Sequence, residues 1–262
     1  MSPDFRYSVR LIPAGRSQVR GPEAFWMDRW DEWVELVFYV VLIRGEGRTL
    51  LINTGPPDDL ADINRVWQGY LGDSRAALVI ADDERLPGAL SRADIEPADV
   101  DTVVLSPFSA YATGGLHHFP RATIVLSRHG WTHFITASSG DQTVERATRI
   151  PMPHLAHLVT DWWERVRLLD DEDEIAPGIT TTRTGVHDRG SLAVAIPTAR
   201  GTVVYSDSAY HNENIERRHP IGIAYDLDEA RISYELIAAR ADILLAGFDP
   251  GHMDRHHGGV VA

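Results

Sequence analysis

Residues 35–43, ELVFYVVLI, carry one charged side chain in nine positions and are followed, across a Gly-Glu-Gly turn, by the shorter apolar run TLLIN at 49–53. Apolar runs rich in β-branched and aromatic residues read as strands, and the glycine turn folds the second back on the first as a hairpin. A β core is therefore expected, and the remaining periodicities are read around it. Residues 7–12 alternate as a strand, 59–70 and 83–92 read as helices, 101–106 as a buried strand and 123–126 as another. Residues 128–134 look helical, and so does 140–169, with a break at PMPH. Short strands follow at 179–182, 191–196 and 202–205, then an amphipathic helix at 226–240 and a closing strand at 243–246. The sequence shows no internal repeat.

Composition narrows the chemistry. The 262 residues include no cysteine, and all 25 basic residues are arginine. Disulfides, a thiolate nucleophile and Schiff-base or lysine-base mechanisms are thereby excluded. A formal charge of -13 argues against a nucleic-acid partner, which needs a basic footprint. No apolar run approaches the length of a membrane span and no basic-then-apolar leader opens the chain, so no membrane partner and a cytoplasmic location are expected.

Six segments in order carry a resemblance: TLLINTGPP (49–57), VDTVVLS (100–106), GGLHHFPRATIVLSRHGW (114–131), EDEIAPGITTTRTGVHDRG (172–190), TVVYSDSAYHNENIE (202–216) and ADILLAGFDP (241–250). Spread over about 200 residues, they resemble the metallo-β-lactamase-fold hydrolases, in particular the N-acyl-homoserine-lactonase-like branch. The resemblance implies an α+β, four-layer αβ/βα sandwich, formed by residues 1–262 as a single domain with a helical insertion at about 137–170.

It also implies a metal motif that this chain has rewritten. The family's HxHxDH ligands fall on Pro107, Ser109, Tyr111 and Ala112, its last histidine on Phe248, and its DTG aspartate on Asn53. His187, Asp207 and Tyr210 remain, matching a ligand histidine, the bridging aspartate and the tyrosine that assists lactone opening. Two ligands fall short of a catalytic zinc, which wants about three protein donors and a water. No metal cofactor is expected. The alternative is a single divalent metal held by His187, Asp207 and a histidine recruited from His117, His118, His211, His252, His256 or His257.

Without a cation, His187 and Asp207 are expected to meet as a hydrogen-bonded dyad in which the carboxylate fixes the imidazole tautomer. Ser109, or Ser106 at the strand end, is a candidate nucleophile, and Tyr111 and Tyr210 are candidate proton donors or oxyanion partners. Trp26 and Trp30, with Trp33 and with Trp162 and Trp163 opposite, either line a hydrophobic cleft or pack a core or interface. Phe108, Phe248 and Asn53 complete the expected substrate contacts, for a small molecule of apolar or aromatic character. Three functional readings stay open: a metal-independent enzyme acting on a small lactone, ester or other carbonyl compound; a non-catalytic pseudoenzyme that binds a small apolar ligand or a protein; and a hydrolase with a rebuilt single-metal site. The resembling branch contains dimers, so a homodimer is among the assemblies allowed.

Overall fold

The computed structural model describes residues 5–136 and 149–262. Six strands form the first sheet in chain order: β1 (Ser8–Arg20), β2 (Trp33–Gly45), β3 (Arg48–Ile52), β4 (Thr102–Leu105), β5 (Thr123–Ser127) and β6 (Val166–Leu169). The second sheet contains β7 (Glu172–Ala176), β8 (Ile179–Arg183), β9 (Leu192–Thr198), β10 (Gly201–Ser206) and β11 (Ile243–Ala246), in the order β11-β10-β9-β8-β7. The hairpin expected from the apolar runs is present, with Val41 opposite Ile52 and Ile43 opposite Leu50. From β3 to β6 the strands run parallel, and so do β10 and β11.

β2 explains why its sequence is apolar without interruption. Val37, Tyr39, Val41 and Ile43 point into the core between the sheets, where they meet Ile179, Val194, Ile196 and Tyr205. Val40 and Leu42 point the other way, into a second core with Leu90, Phe134 and Leu158. A strand buried on both faces has no use for alternation. On the far side of the second sheet, Tyr234 and Ile237 of the helix Leu227–Arg240 pack on Ala193, Val204 and Ala246. Helices thus flank both sheets, giving the layering expected of the αβ/βα sandwich. The Asp226 side chain caps that helix by accepting from the Asp228 and Glu229 N–H groups, a contact typically worth about 1 kcal/mol.

Three expectations need correction. Residues 83–92 do not make one helix: a 3₁₀ turn, Asp82–Glu84, is followed by a one-turn helix, Gly88–Ser91, with Pro87 between them lacking the N–H that a continuous helix requires. Within 140–169 the described part is a short helix, Met152–Leu158, and then β6. β6 is a half-exposed four-residue edge strand, and its charged neighbour β7, EDEIA, is the edge of the other sheet. Edge strands tolerate charge, which erases the pattern that identifies strands. The part of the expected insertion at 137–148 lies outside the described residues. Finally, β1 runs on to Arg20, because its Pro13 sits on a sheet edge next to a register shift at Gly15, where proline sacrifices no ladder hydrogen bond.

Candidate active site

The loops that follow β4, β10 and β11 and the one that precedes β9 meet at one edge of the sandwich. This is beyond the carboxyl ends of parallel strands, where open α/β sheets place their ligands. Asp207, just past β10, is fully buried there. The Ser106 hydroxyl donates to its Oδ1 at 2.5 Å and the Ser191 hydroxyl to its Oδ2 at 2.6 Å. Each hydroxyl in turn accepts a backbone N–H, from Leu192 at 2.9 Å and from Asp188 at 3.0 Å respectively. Both serines are therefore fully engaged. Ser106 is also fully buried and does not line the cleft onto which His187 and Tyr210 open, so its hydroxyl does not reach a ligand there.

His187 lies above this carboxylate. Its Nδ1 is 3.6 Å from Asp207 Oδ2 and makes no hydrogen bond among the described residues, so the expected hydrogen-bonded dyad is instead an electrostatic contact. The donor to that oxygen is Ser191, at 2.6 Å. On the other side of the ring, Nε2 is 3.1 Å from Tyr210 Oη. Burial, reinforced by neighbouring tyrosines and carboxylates, pushes the Tyr210 phenol well above its ordinary range. It stays protonated and is able to donate to Nε2, the arrangement in which the imidazole proton sits on Nδ1, facing Asp207.

Tyr210, His187, Tyr111 and Ser109 open together onto a cleft of about 590 Å³. Phe248 packs edge-on against the rings of His187, Tyr210 and Tyr111 at 5.1 to 5.7 Å, filling the space between them. Tyr111 is 92% buried, being 8% exposed. Its hydroxyl faces Ser109 without completing a hydrogen bond, and burial again keeps it a phenol. Ser109 bridges to Arg149 through its backbone. At this end of the cleft, buried Arg149 forms an ion pair with Asp188 and donates to Tyr225 Oη at 3.1 Å.

The other expected contacts lie elsewhere. Asn53, at φ 64°, donates to the Ser106 carbonyl and the Tyr205 hydroxyl and accepts the Ser106 N–H, so it ties β3 to the end of β4 beneath the site. Phe108 is buried on the opposite side against Trp131 and Phe134. Trp26 and Trp30 are 43% and 61% exposed and do not line the cleft. Left-handed residues Met27 and Arg29 turn this loop outward. Trp33 lies between the guanidinium groups of Arg20 and Arg75, Trp162 stacks on His157, and Trp163 is exposed. The aromatic wall comes instead from Phe38, Trp67 and Tyr70. Trp67 belongs to the helix Ala61–Leu71, whose Ile63 and Leu71 recur at helical spacing with it. That spacing was the available signal.

A metal of the kind the resemblance implies does not fit this donor set. Among the described residues no three His, Cys, Asp or Glu side chains are grouped to hold an ion, and both Asp207 oxygens already accept hydroxyls. Four of the six recruitable histidines lie elsewhere. His211 Nε2 lies on the Glu35 carbonyl, and His117 and His118 pack tilted against each other beside Asp58 in a separate crevice. His252 is fully buried, with Nε2 on the Ala246 carbonyl and Nδ1 accepting from Arg255.

That arrangement has a consequence for acid stability. Burial holds His252 neutral down to about 4 against its ordinary 6.5, although Asp249 and the Ala246 carbonyl act the other way, and burial holds His154 down to about 4 as well. Between these values the unfolded chain binds protons that the folded one refuses. Their contribution to stability is therefore complete above about 6.5 and is lost as pH falls towards 4. The urea midpoint is expected to fall across this window, and His252→Gln should flatten the slope.

Comparison with known proteins agrees with this architecture. No family profile matches the chain. An N-acyl homoserine lactonase of Bacillus sp. is 21% identical over 245 residues, covering 91% of this chain and 92% of that protein. The N-acyl homoserine lactonase AiiB of Agrobacterium fabrum is 24% identical over 190 residues, covering 69% and 66%. Among solved structures, an N-acyl homoserine lactone hydrolase with the product N-hexanoyl-L-homoserine at its catalytic metal centre superposes with a TM-score of 0.76 at 19% identity, covering 98% of both chains. A probable metal-dependent hydrolase from Staphylococcus aureus gives 0.72 at 15% identity, covering 93% of this chain and 89% of that one. The chain has the metallo-β-lactamase fold. Over most of its length its relatives are N-acyl homoserine lactonases. Among the described residues no helix is long and apolar enough to cross a membrane.

Proposed function

We propose that this chain is a hydrolase of small, apolar carbonyl compounds, lactones or esters, whose proton transfers run through Tyr210 and His187 over Asp207 without a metal. One observation carries the reading: a phenol, an imidazole and a buried carboxylate stand in line, at 3.1 and 3.6 Å, on the floor of an apolar cleft. The chemistry follows from the positions. A bound carbonyl oxygen takes the Tyr210 O–H away from Nε2, and a water replaces it there. As that water adds to the carbonyl carbon, Nε2 removes its proton and the Asp207 charge stabilises the imidazolium. The oxyanion accepts hydrogen bonds from Tyr210 and Tyr111. Collapse expels the alkoxide, which takes the proton back from His187, leaving a carboxylic acid and an alcohol. Donors drawn only from the chain's own side chains make the reaction indifferent to chelators.

The test is turnover of p-nitrophenyl esters and γ-lactones of graded chain length by protein dialysed against a chelator. Tyr210→Phe is expected to lower kcat about 10- to 100-fold with KM little changed, as removal of an oxyanion donor does. Absence of turnover across the panel overturns the proposal. A second reading, binding without turnover, is favoured by the missing hydrogen bond between His187 Nδ1 and Asp207, which stand 3.6 Å apart while serines donate to both carboxylate oxygens. Bound but unconverted esters would establish it.

A further inference from the structure

The polar end of the cleft contains a cation that is already neutralised. Arg149 and Asp188 are 8% and 3% exposed and form an ion pair, with Asp188 Oδ1 also accepting the Gly190 N–H at 2.6 Å. Glu23 lines the same cleft, and Asp207 lies directly beneath it against His187. Among the described residues, the cleft lining therefore holds one guanidinium and two carboxylates, Asp188 and Glu23, in a space otherwise walled mainly by side chains such as Phe38, Trp67 and Leu36. A further anion entering here would be desolvated without finding an unshared positive charge, which is an expensive placement. Burial already pushes the Glu23 carboxyl above its ordinary range, which shows the same reluctance in a resident group. An uncharged acceptor faces no such cost. It finds a donor waiting, since the Tyr111 hydroxyl is buried at the cleft without a completed hydrogen bond.

We infer that Asp188 sets the ligand class: by holding Arg149 it makes this a site for uncharged amphiphiles with a hydrogen-bond-accepting head, received by Tyr111, and closes it to carboxylates. The inference rests on the cleft being the ligand site of the proposed function, but not on turnover. It gives a hydrolase of this design a direction. A neutral ester is admitted, and the carboxylate made from it is expelled by the same charges that never opposed its precursor.

The test compares two probes of equal length, octanamide and octanoate, by isothermal titration calorimetry at neutral pH. In the parent protein octanamide is expected to bind at least about tenfold more tightly. Asp188→Asn removes a counter-charge from Arg149 and is expected to reverse the order. Tyr111→Phe is expected to weaken octanamide several-fold, up to about tenfold, the value of one hydrogen bond, and to leave octanoate unchanged. Should Asp188→Asn fail to fold, Glu23→Gln removes a wall charge without touching the ion pair and is expected to strengthen octanoate several-fold. Octanoate binding as tightly as octanamide in the parent overturns the inference alone. Binding of neither probe overturns it together with the reading of the cleft as the ligand site.

Discussion

His187→Ala is expected to lower kcat/KM on neutral esters by about 10²- to 10⁴-fold, the range for loss of a positioned general base. The size follows from the number of roles that meet in one ring. In the proposed mechanism Nε2 accepts the proton of the attacking water, and in the resting site it contacts the Tyr210 phenol at 3.1 Å. In the same mechanism Asp207, 3.6 Å from Nδ1, stabilises the charged imidazolium. His187→Gln separates these roles, because the amide can still hydrogen-bond Tyr210 but cannot take the proton. It is expected to keep ester binding and lose turnover nearly as completely as alanine. The measurement is kcat and KM for both variants alongside the calorimetric affinity for octanamide. Retention of activity within a factor of about three, less than one hydrogen bond is worth, would remove His187 from the chemistry.

Ser106→Ala and Ser191→Ala are each expected to destabilise the fold by about 1–3 kcal/mol, more than is usual for deletion of one hydroxyl, because the partner left behind is an ion. Asp207 has no exposed surface. Each serine supplies one of its oxygens with a hydrogen bond shorter than 2.7 Å, and no water is in a position to take over at a fully buried atom. For a chain of this length the loss corresponds to roughly 2–4 °C of Tm per kcal/mol. The cost should shrink in an Asp207→Asn background, since an unpaired amide oxygen is cheaper to bury than an unpaired carboxylate oxygen. Urea unfolding of the four proteins in a double-mutant cycle measures this coupling. Equal costs in both backgrounds would mean that the serines matter for packing and not for the charge.

Different parts of this molecule were legible to different degrees. The β2–β3 hairpin and the order of strands and helices could be read because apolar side chains announce burial at a fixed period. β6 and β7 could not, since edge strands bury too little to leave a pattern. His187, Asp207, Tyr111, Tyr210, Ser109 and Phe248 were each singled out in the sequence, and the structure brings them to one place. Their connections were not legible. Ser191 stands just before a strand like many serines, and nothing local says that it and Ser106 close on the same carboxylate. The partnership of Arg149 with Asp188 is likewise purely tertiary, although Asp188 adjoins His187 in the chain. The tryptophans of residues 25–33 drew attention through their density, but density carries no direction. Two left-handed residues turned Trp26 and Trp30 to solvent, while Trp67, the one tryptophan of its helix, became part of the cleft wall.

A dissociable counter-ion has an affinity, a loading step and competitors. The hydroxyls that close on Asp207 have none of these, because they belong to the same covalent chain as the charge they satisfy. Their effective concentration at the carboxylate is set when the loops fold, and it does not vary with growth medium, chelators or the demand of other proteins for a scarce metal. What varies instead is heritable: a single-base change at either serine codon would do to this site what starvation for a metal does to a site that depends on one.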